Sequence, residues 1–139
     1  MSDLQRFKEA QRRDFDTALA EIKSGRKQSH WMWYIFPQIH GLGFSSMSAY
    51  YAIKDLEEAE DFLNDPYLGG NLRMISEALL ELDTDDPHRV FGSPDDLKLL
   101  SCMTLFEVAE GRGGVFTRVI EKYYKGRRDR KTVEILGRG

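Results

Sequence analysis

Residues 93–108 read SPDDLKLLSCMTLFEV. Serine followed by proline and two aspartates is a helix-start signal. Ser93 can cap, Pro94 suits the first helical position, and Asp96 stands three residues after the cap, where a capping box carries glutamate. From Leu97 the stretch is almost wholly apolar, so the spacing predicts a central helix running to about Ala109 and stopped by Gly111, Gly113 and Gly114. Lys98, Ser101 and Thr104 recur at every third residue, and at about 100° per residue they form one slowly drifting polar stripe. Polar groups on a buried helix need partners. The two hydroxyls can bond back to the preceding turn. A lysine one turn into a central helix must reach out to water or meet an anion.

The neighbouring segments are helical by the same tests. Residues 4–22 carry Leu4, Phe7, Ala10, Phe15, Ala18, Leu19 and Ile22 at three-four spacing, with Asp3 as a cap and Gly25 as a stop. Ser45 or Ser46 can cap a helix through Tyr50 and Ile53. Asp55 can cap the next, with Leu56, Ala59, Phe62 and Leu63 inward. Asp65 and Pro66 open another with Leu68, Leu72, Ile75, Leu79 and Leu82 inward. Pro87 starts a short turn ending near Gly92. Residues 115–124 form an amphipathic helix closed by Gly126, and Asp129 caps a last helix to Leu136. No useful strand alternation or solenoid repeat is present. The expected fold is all-α: a single domain over residues 1–139, an irregular or orthogonal bundle of about seven short helices.

Composition agrees with a globular chain. Its 139 residues suit one domain, and 41% apolar with 31% charged residues excludes a disordered one. A chain of this length buries roughly two-thirds of its unfolded surface and needs no disulfide or metal to fold. Cys102 is the one cysteine, so no internal disulfide can form. No signal-like N-terminal run and no bilayer-length apolar stretch is present, and the expectation is a soluble cytoplasmic protein without a membrane partner. The net charge of −3 hides an asymmetry: residues 54–110 hold 4 basic and 15 acidic groups, while residues 112–139 hold 9 basic and 3 acidic. The acidic middle argues against nucleic acid as a partner. The basic tail, KGRRDRK at 125–131, could touch phosphates, or simply be the solvated face of the last helix.

One segment fits neither periodicity. Residues 29–43, SHWMWYIFPQIHGLG, place four large aromatics within six residues and then a proline. Pro37 pushes Phe36 toward extended backbone, which predicts an irregular turn or short helix followed by a loop. Ser29, His30, Trp31, Trp33, Tyr34, Phe36 and Gln38 interleave flat rings with polar groups. Aromatics on irregular backbone can wall a pocket for a stacked ring. Histidine can move a proton near neutral pH, and Gln38 can donate and accept together. Trp31 and Phe36 also suit a core. No metal-binding pattern is formed by His30, His40, His88 and Cys102. Phosphate-loop, dinucleotide and serine-elbow motifs are absent, so no metal or cofactor is expected.

Four strings, SHWMWYIFPQ (29–38), LGFSS (42–46), FGSPDDLKLLSCMTLF (91–106) and VFTRVIEKYYKGRRDRKT (115–132), resemble the domain family of unknown function 1810 (DUF1810). The resemblance covers nearly the whole chain and implies an all-helical fold. It also implies that His30, Trp31, Trp33, Tyr34, Pro37, Gln38, Ser93, Asp95, Lys98, Ser101 and Thr104 occupy motif positions. It supplies no reaction.

These residues suggest a pocket joining residues 29–38 to the polar stripe after Ser93. His30 is then the candidate proton-transfer residue. Trp31, Trp33, Tyr34, Gln38, Ser93, Asp95, Lys98, Ser101 and Thr104 are candidate ligand contacts. A flat ring with an anionic group, as in a nucleotide or an ADP-ribose-like molecule, fits those residue types, with Lys98 as charge partner. Whether the site catalyses is left open by the residues, and the oligomeric state is not encoded in them. The alternative is a protein interaction module using 29–38 as a peptide groove.

Overall fold

In the computed structural model, which describes residues 3–138, nine helices follow one another. They are α1 (Gln5–Lys23), α2 (Met32–Ile35), α3 (Ser46–Tyr50), α4 (Leu56–Asn64), α5 (Pro66–Leu80), α6 (Pro87–Phe91), α7 (Asp95–Glu110), α8 (Val115–Tyr124) and α9 (Arg130–Arg138). The two beyond the expected seven are α2 and α6, of four and five residues, which the sequence presents as turns. Extended pairing among the described residues is limited to one isolated parallel bridge between Ile39 and Ile53. No helix among the described residues is long and apolar enough to cross a membrane.

Helix α7 lies at the centre, packed against α4, α6, α8 and α9. Every residue from Ser101 to Glu107 is buried, as an apolar surface with no solvent side requires. A run of rings crosses the core from α1 to α8. Phe7 meets Phe62 at 5.2 Å, Phe62 meets Phe106 at 5.3 Å, and Phe106 meets Phe116 at 6.0 Å between centroids. Cys102 is fully enclosed, and burial pushes its thiol well above the ordinary value.

Most helix starts follow their local signals. Ser45, Asp55, Asp65 and Asp86 each accept a backbone N–H from the first turn of α3, α4, α5 and α6. Two starts do not. Asp3 accepts the N–H of Gln5, but Leu4 holds the cap position of α1. The start of α7 departs further from the expected cap at Ser93. The peptide bond between Ser93 and Pro94 is cis, and the helix begins at Asp95 with Pro94 in the cap position, where no side-chain acceptor exists. The carbonyl of Gly92 accepts the Asp96 N–H instead, and Asp95 and Asp96 supply the favourable first-turn charge.

Three buried polar side chains of α7 tie down other segments. Glu107 accepts two hydrogen bonds from Arg128, at 2.9 and 2.6 Å, and one from Thr117. The Arg128 bonds hold its carboxyl below the ordinary range. Ser101 shares its proton between the carbonyl of Leu97 and the Asp129 carboxylate, and Thr104 donates to the Leu100 carbonyl while accepting the Asp129 N–H. Asp129 in turn caps α9 through the N–H of Thr132.

Segment 28–31 is held by one carboxylate. Glu21 accepts the backbone N–H groups of Gln28 and Ser29, the Ser29 hydroxyl and the Trp31 indole N–H. Burial favours its protonated form, but these four donors together outweigh burial and lower the carboxyl to about 2. A depressed carboxyl stabilises the fold fully above its unfolded value of about 4.5, and that contribution is lost as pH falls toward about 2. Glu21→Gln should therefore lower stability at pH 7 by about 2 kcal/mol and flatten the pH dependence of urea unfolding over that acid window. Arg128→Ala leaves Glu107 buried without its charge partner and should cost about 3 kcal/mol in the same measurement.

Candidate functional site

Residues 29–38 split between core and surface. The single turn of α2 buries Met32, Tyr34 and Ile35, and Trp31, Phe36 and Pro37 flank it in the interior. Trp31 packs at a tilt against Phe36 and edge-on against Phe91, with centroids 6.1 and 6.5 Å away. Tyr34 donates its hydroxyl to the Asp14 carboxylate, and its carbonyl accepts from the buried Gln11 amide at 2.9 Å. Burial, and then the Asp14 bond, raise the phenol to about 12. Only Trp33 and Gln38 reach a solvent-facing cleft. Gln38 is aimed by the bridge that follows. The Ile53 N–H donates to the Gln38 carbonyl and the His40 N–H to the Ile53 carbonyl, each at 2.8 Å. Ile39 points inward, so its neighbours Gln38 and His40 face the other way.

The cleft has a volume of about 560 Å³, within the range of small-ligand sites. Trp33 and Gln38 line one side, residues 42–45 with Ser48 of α3 another, and Leu97, Lys98 and Ser101 of α7 a third, with Asp129 and Lys131 beside them. Gly43 lets the loop come close, because a Cβ there would lie 2.5 Å from the Ser48 Oγ. Phe44 stands at the rim, fully exposed. A smaller hollow of about 40 Å³ adjoins the cleft, shares Trp33, Gln38 and Ser48 with it, and adds His40 and Tyr51. It has room for about one or two waters.

Lys98 is tied to the interior by a carboxylate that lies outside the cleft lining. The Lys98 ammonium lies 5.1 Å from the Trp33 ring centroid and 3.5 Å from Asp95. The other Asp95 oxygen takes Lys27 at 2.9 Å, and Lys27 lies 5.0 Å from the Trp31 ring centroid. A lysine-carboxylate-lysine chain thus links the two indoles. Lys27 is the enclosed end and Lys98 the open one, with side chains 9% and 27% exposed. Among the described residues no three His, Cys, Asp or Glu side chains converge to hold a metal ion.

A family model described as a protein of unknown function, DUF1810, matches residues 1–136. The chain belongs to the DUF1810 family. It is also similar to the crystal structure of a conserved hypothetical protein from Mycobacterium tuberculosis, at 41% identity over 97% of this chain and 96% of that one, with a TM-score of 0.94. No curated protein matches the chain.

Within this DUF1810 fold, Trp33, Gln38, Lys98 and Ser101 share one cleft, and the other candidates lie elsewhere. His30 is exposed and does not line the cleft, so His30 and Lys98 do not meet there; the His30 carbonyl accepts weakly from Tyr34. Trp31 and Tyr34 sit in the core, since Glu21 and Asp14 satisfy their polar ends from inside the fold. Thr104 is completely buried between Leu100 and Asp129. Ser93 is exposed outside the cleft, with Pro94 lining it instead, and Asp95 acts through the two lysines. Sequence reasoning missed Phe44, Ser48, Lys131 and His40. The loop glycines were the available signal for the first two.

Lys98→Ala removes one partly solvated cation from an aromatic face and should cost only about 0.5–1 kcal/mol in urea unfolding. A loss above about 2 kcal/mol would mark Lys98 as a structural residue.

Proposed function

We propose that the cleft binds a small molecule carrying a flat ring and an anionic group, of nucleotide or ADP-ribose-like type. The observation that supports this reading is the Lys98 ammonium beside the Trp33 ring, with a cleft of ligand size open to both. Trp33 offers a stacking face, and the Gln38 amide offers a donor and an acceptor for a ring edge. Lys98 and Lys131 supply positive charge for the anion, and Ser48 and Ser101 supply hydroxyls. If the site moves a proton, His40 on the adjoining hollow is better placed than His30.

A second reading rests on the rim. Phe44 is fully exposed and Leu97 is 62% exposed, and both line the cleft. An apolar rim around a polar-aromatic floor also suits an inserted side chain of a partner peptide.

Thermal-shift titration with nucleotides, NAD derivatives and ADP-ribose separates the two. At a ligand concentration of 100 times Kd the first reading expects about 2.7 kcal/mol of added stability. Trp33→Ala should weaken that ligand about tenfold or more, as expected for loss of a stacked ring worth roughly 1–3 kcal/mol, and Lys98→Ala should weaken its anionic members most. If none of these compounds moves the transition, while Trp33→Ala abolishes binding to a protein partner with the fold intact, the peptide reading replaces it.

A further inference from the structure

We propose that a second cleft, where the end of α1 meets α6, binds a small phosphoryl anion such as a pyrophosphate or phosphomonoester group. It has a volume of about 580 Å³ and shares no lining residue with the Trp33 cleft. The Lys27 N–H donates to the Val90 carbonyl at 2.7 Å and joins its two sides. Each side brings an adjacent basic pair, Arg26 with Lys27 and His88 with Arg89, and no Asp or Glu lines it.

Two of these four groups are already engaged. Lys27 is held by Asp95 and by the Ser29 carbonyl, and His88 Nδ1 lies 3.5 Å from Asp96. Arg26 and Arg89 are different: both are exposed, and neither side chain has an ion pair or hydrogen bond among the described residues. Helix capping does not account for them either. At the end of α1 the carbonyls of Ala20, Glu21 and Ile22 are taken by the N–H groups of Ser24, Arg26 and Gly25, and the Gly92 N–H takes the His88 carbonyl.

Two guanidiniums without a carboxylate partner line one concavity, which makes its potential positive and favours an anion there. A guanidinium fork takes two oxygens, so a carboxylate can fill one fork, whereas a phosphomonoester or pyrophosphate has oxygens enough for two. The occupant is small rather than a nucleic acid. A phosphate chain leaving the cleft would meet Asp95 and Asp96, in a stretch, residues 54–110, that holds 15 acidic groups against 4 basic ones.

The test is an NMR titration of the full chain with inorganic pyrophosphate against chloride at matched ionic strength. Saturable shifts are expected at the amides of Gly25, Arg26, Arg89 and Gly92, with the Trp33 indole signal unmoved. The R26A/R89A double variant, whose exposed positions leave the core untouched, should bind pyrophosphate at least about tenfold more weakly at an unchanged melting temperature. The proposal falls if the shifts do not saturate, if the double variant binds as the parent does, or if the Trp33 indole moves while the Gly25 and Gly92 amides stay still. The last result would place the anion in the first cleft and leave that site's reading standing. Capture by phosphatidylglycerol vesicles without binding of free pyrophosphate would also overturn it.

Discussion

A helix enclosed by apolar neighbours cannot leave a polar side chain without a partner, and α7 carries one at every third position from Asp95 to Glu107. Their needs organise much of the molecule. Asp95 draws in Lys27 and with it the segment that leads to α2. Ser101 and Thr104 receive Asp129 and so seat the start of α9. Glu107 takes Arg128 and Thr117 and locks the turn between α8 and α9. Among the described residues no buried side-chain nitrogen or oxygen is left without a partner. In a low-dielectric interior an orphaned group would cost more than a made bond gains, so these pairings specify which segments lie against the central helix.

Lys98 is the member of this set that the fold does not consume. Its neighbour in charge, Asp95, is shared with Lys27, whose side chain is the more enclosed of the two and whose contact is the shorter, 2.9 against 3.5 Å. The remaining attraction on Lys98 is a ring face at the edge of a cleft. The same division runs through the aromatic segment. Glu21 and Asp14 take the polar ends of Trp31 and Tyr34 into the fold, while Trp33, which lies between them in sequence, is left at the boundary. Trp33 and Lys98, which the core leaves partly exposed, thus face the cleft beside Ser101 and Asp129, which also hold the fold together.

Helix ends show where local chemistry suffices and where it does not. Asp55 with Glu58, and Asp65 with Pro66, carry their start signals within a few residues, and the fold uses them. The end of α5 has no glycine or other local stop. The carbonyls of Leu79 and Leu80, and that of Leu82 just beyond the helix, are taken by the Lys122 ammonium, which comes from α8. At Pro94 a strong local signal loses to the tertiary path of the chain, and the cap falls one residue later than the motif suggests.

The all-helical class, the central place of residues 95–110 and the inward faces of α1, α4, α5 and α8 were legible because each depends on neighbours three or four residues away, where the helical period repeats. The density of rings and polar groups at 29–38 marked a special segment by the same local means. Which of those side chains would share a cavity was not legible. Trp31 and Trp33 look alike in sequence, as do Ser101 and Thr104, and His30 and His40 flank the same segment. Their fates were set by partners far along the chain: Glu21 for Trp31, Asp129 for Thr104, Ile53 for the backbone of His40. Helices are decided by short-range periodicity, whereas a cleft is decided by which distant surfaces pack, and only the tertiary structure contains that choice.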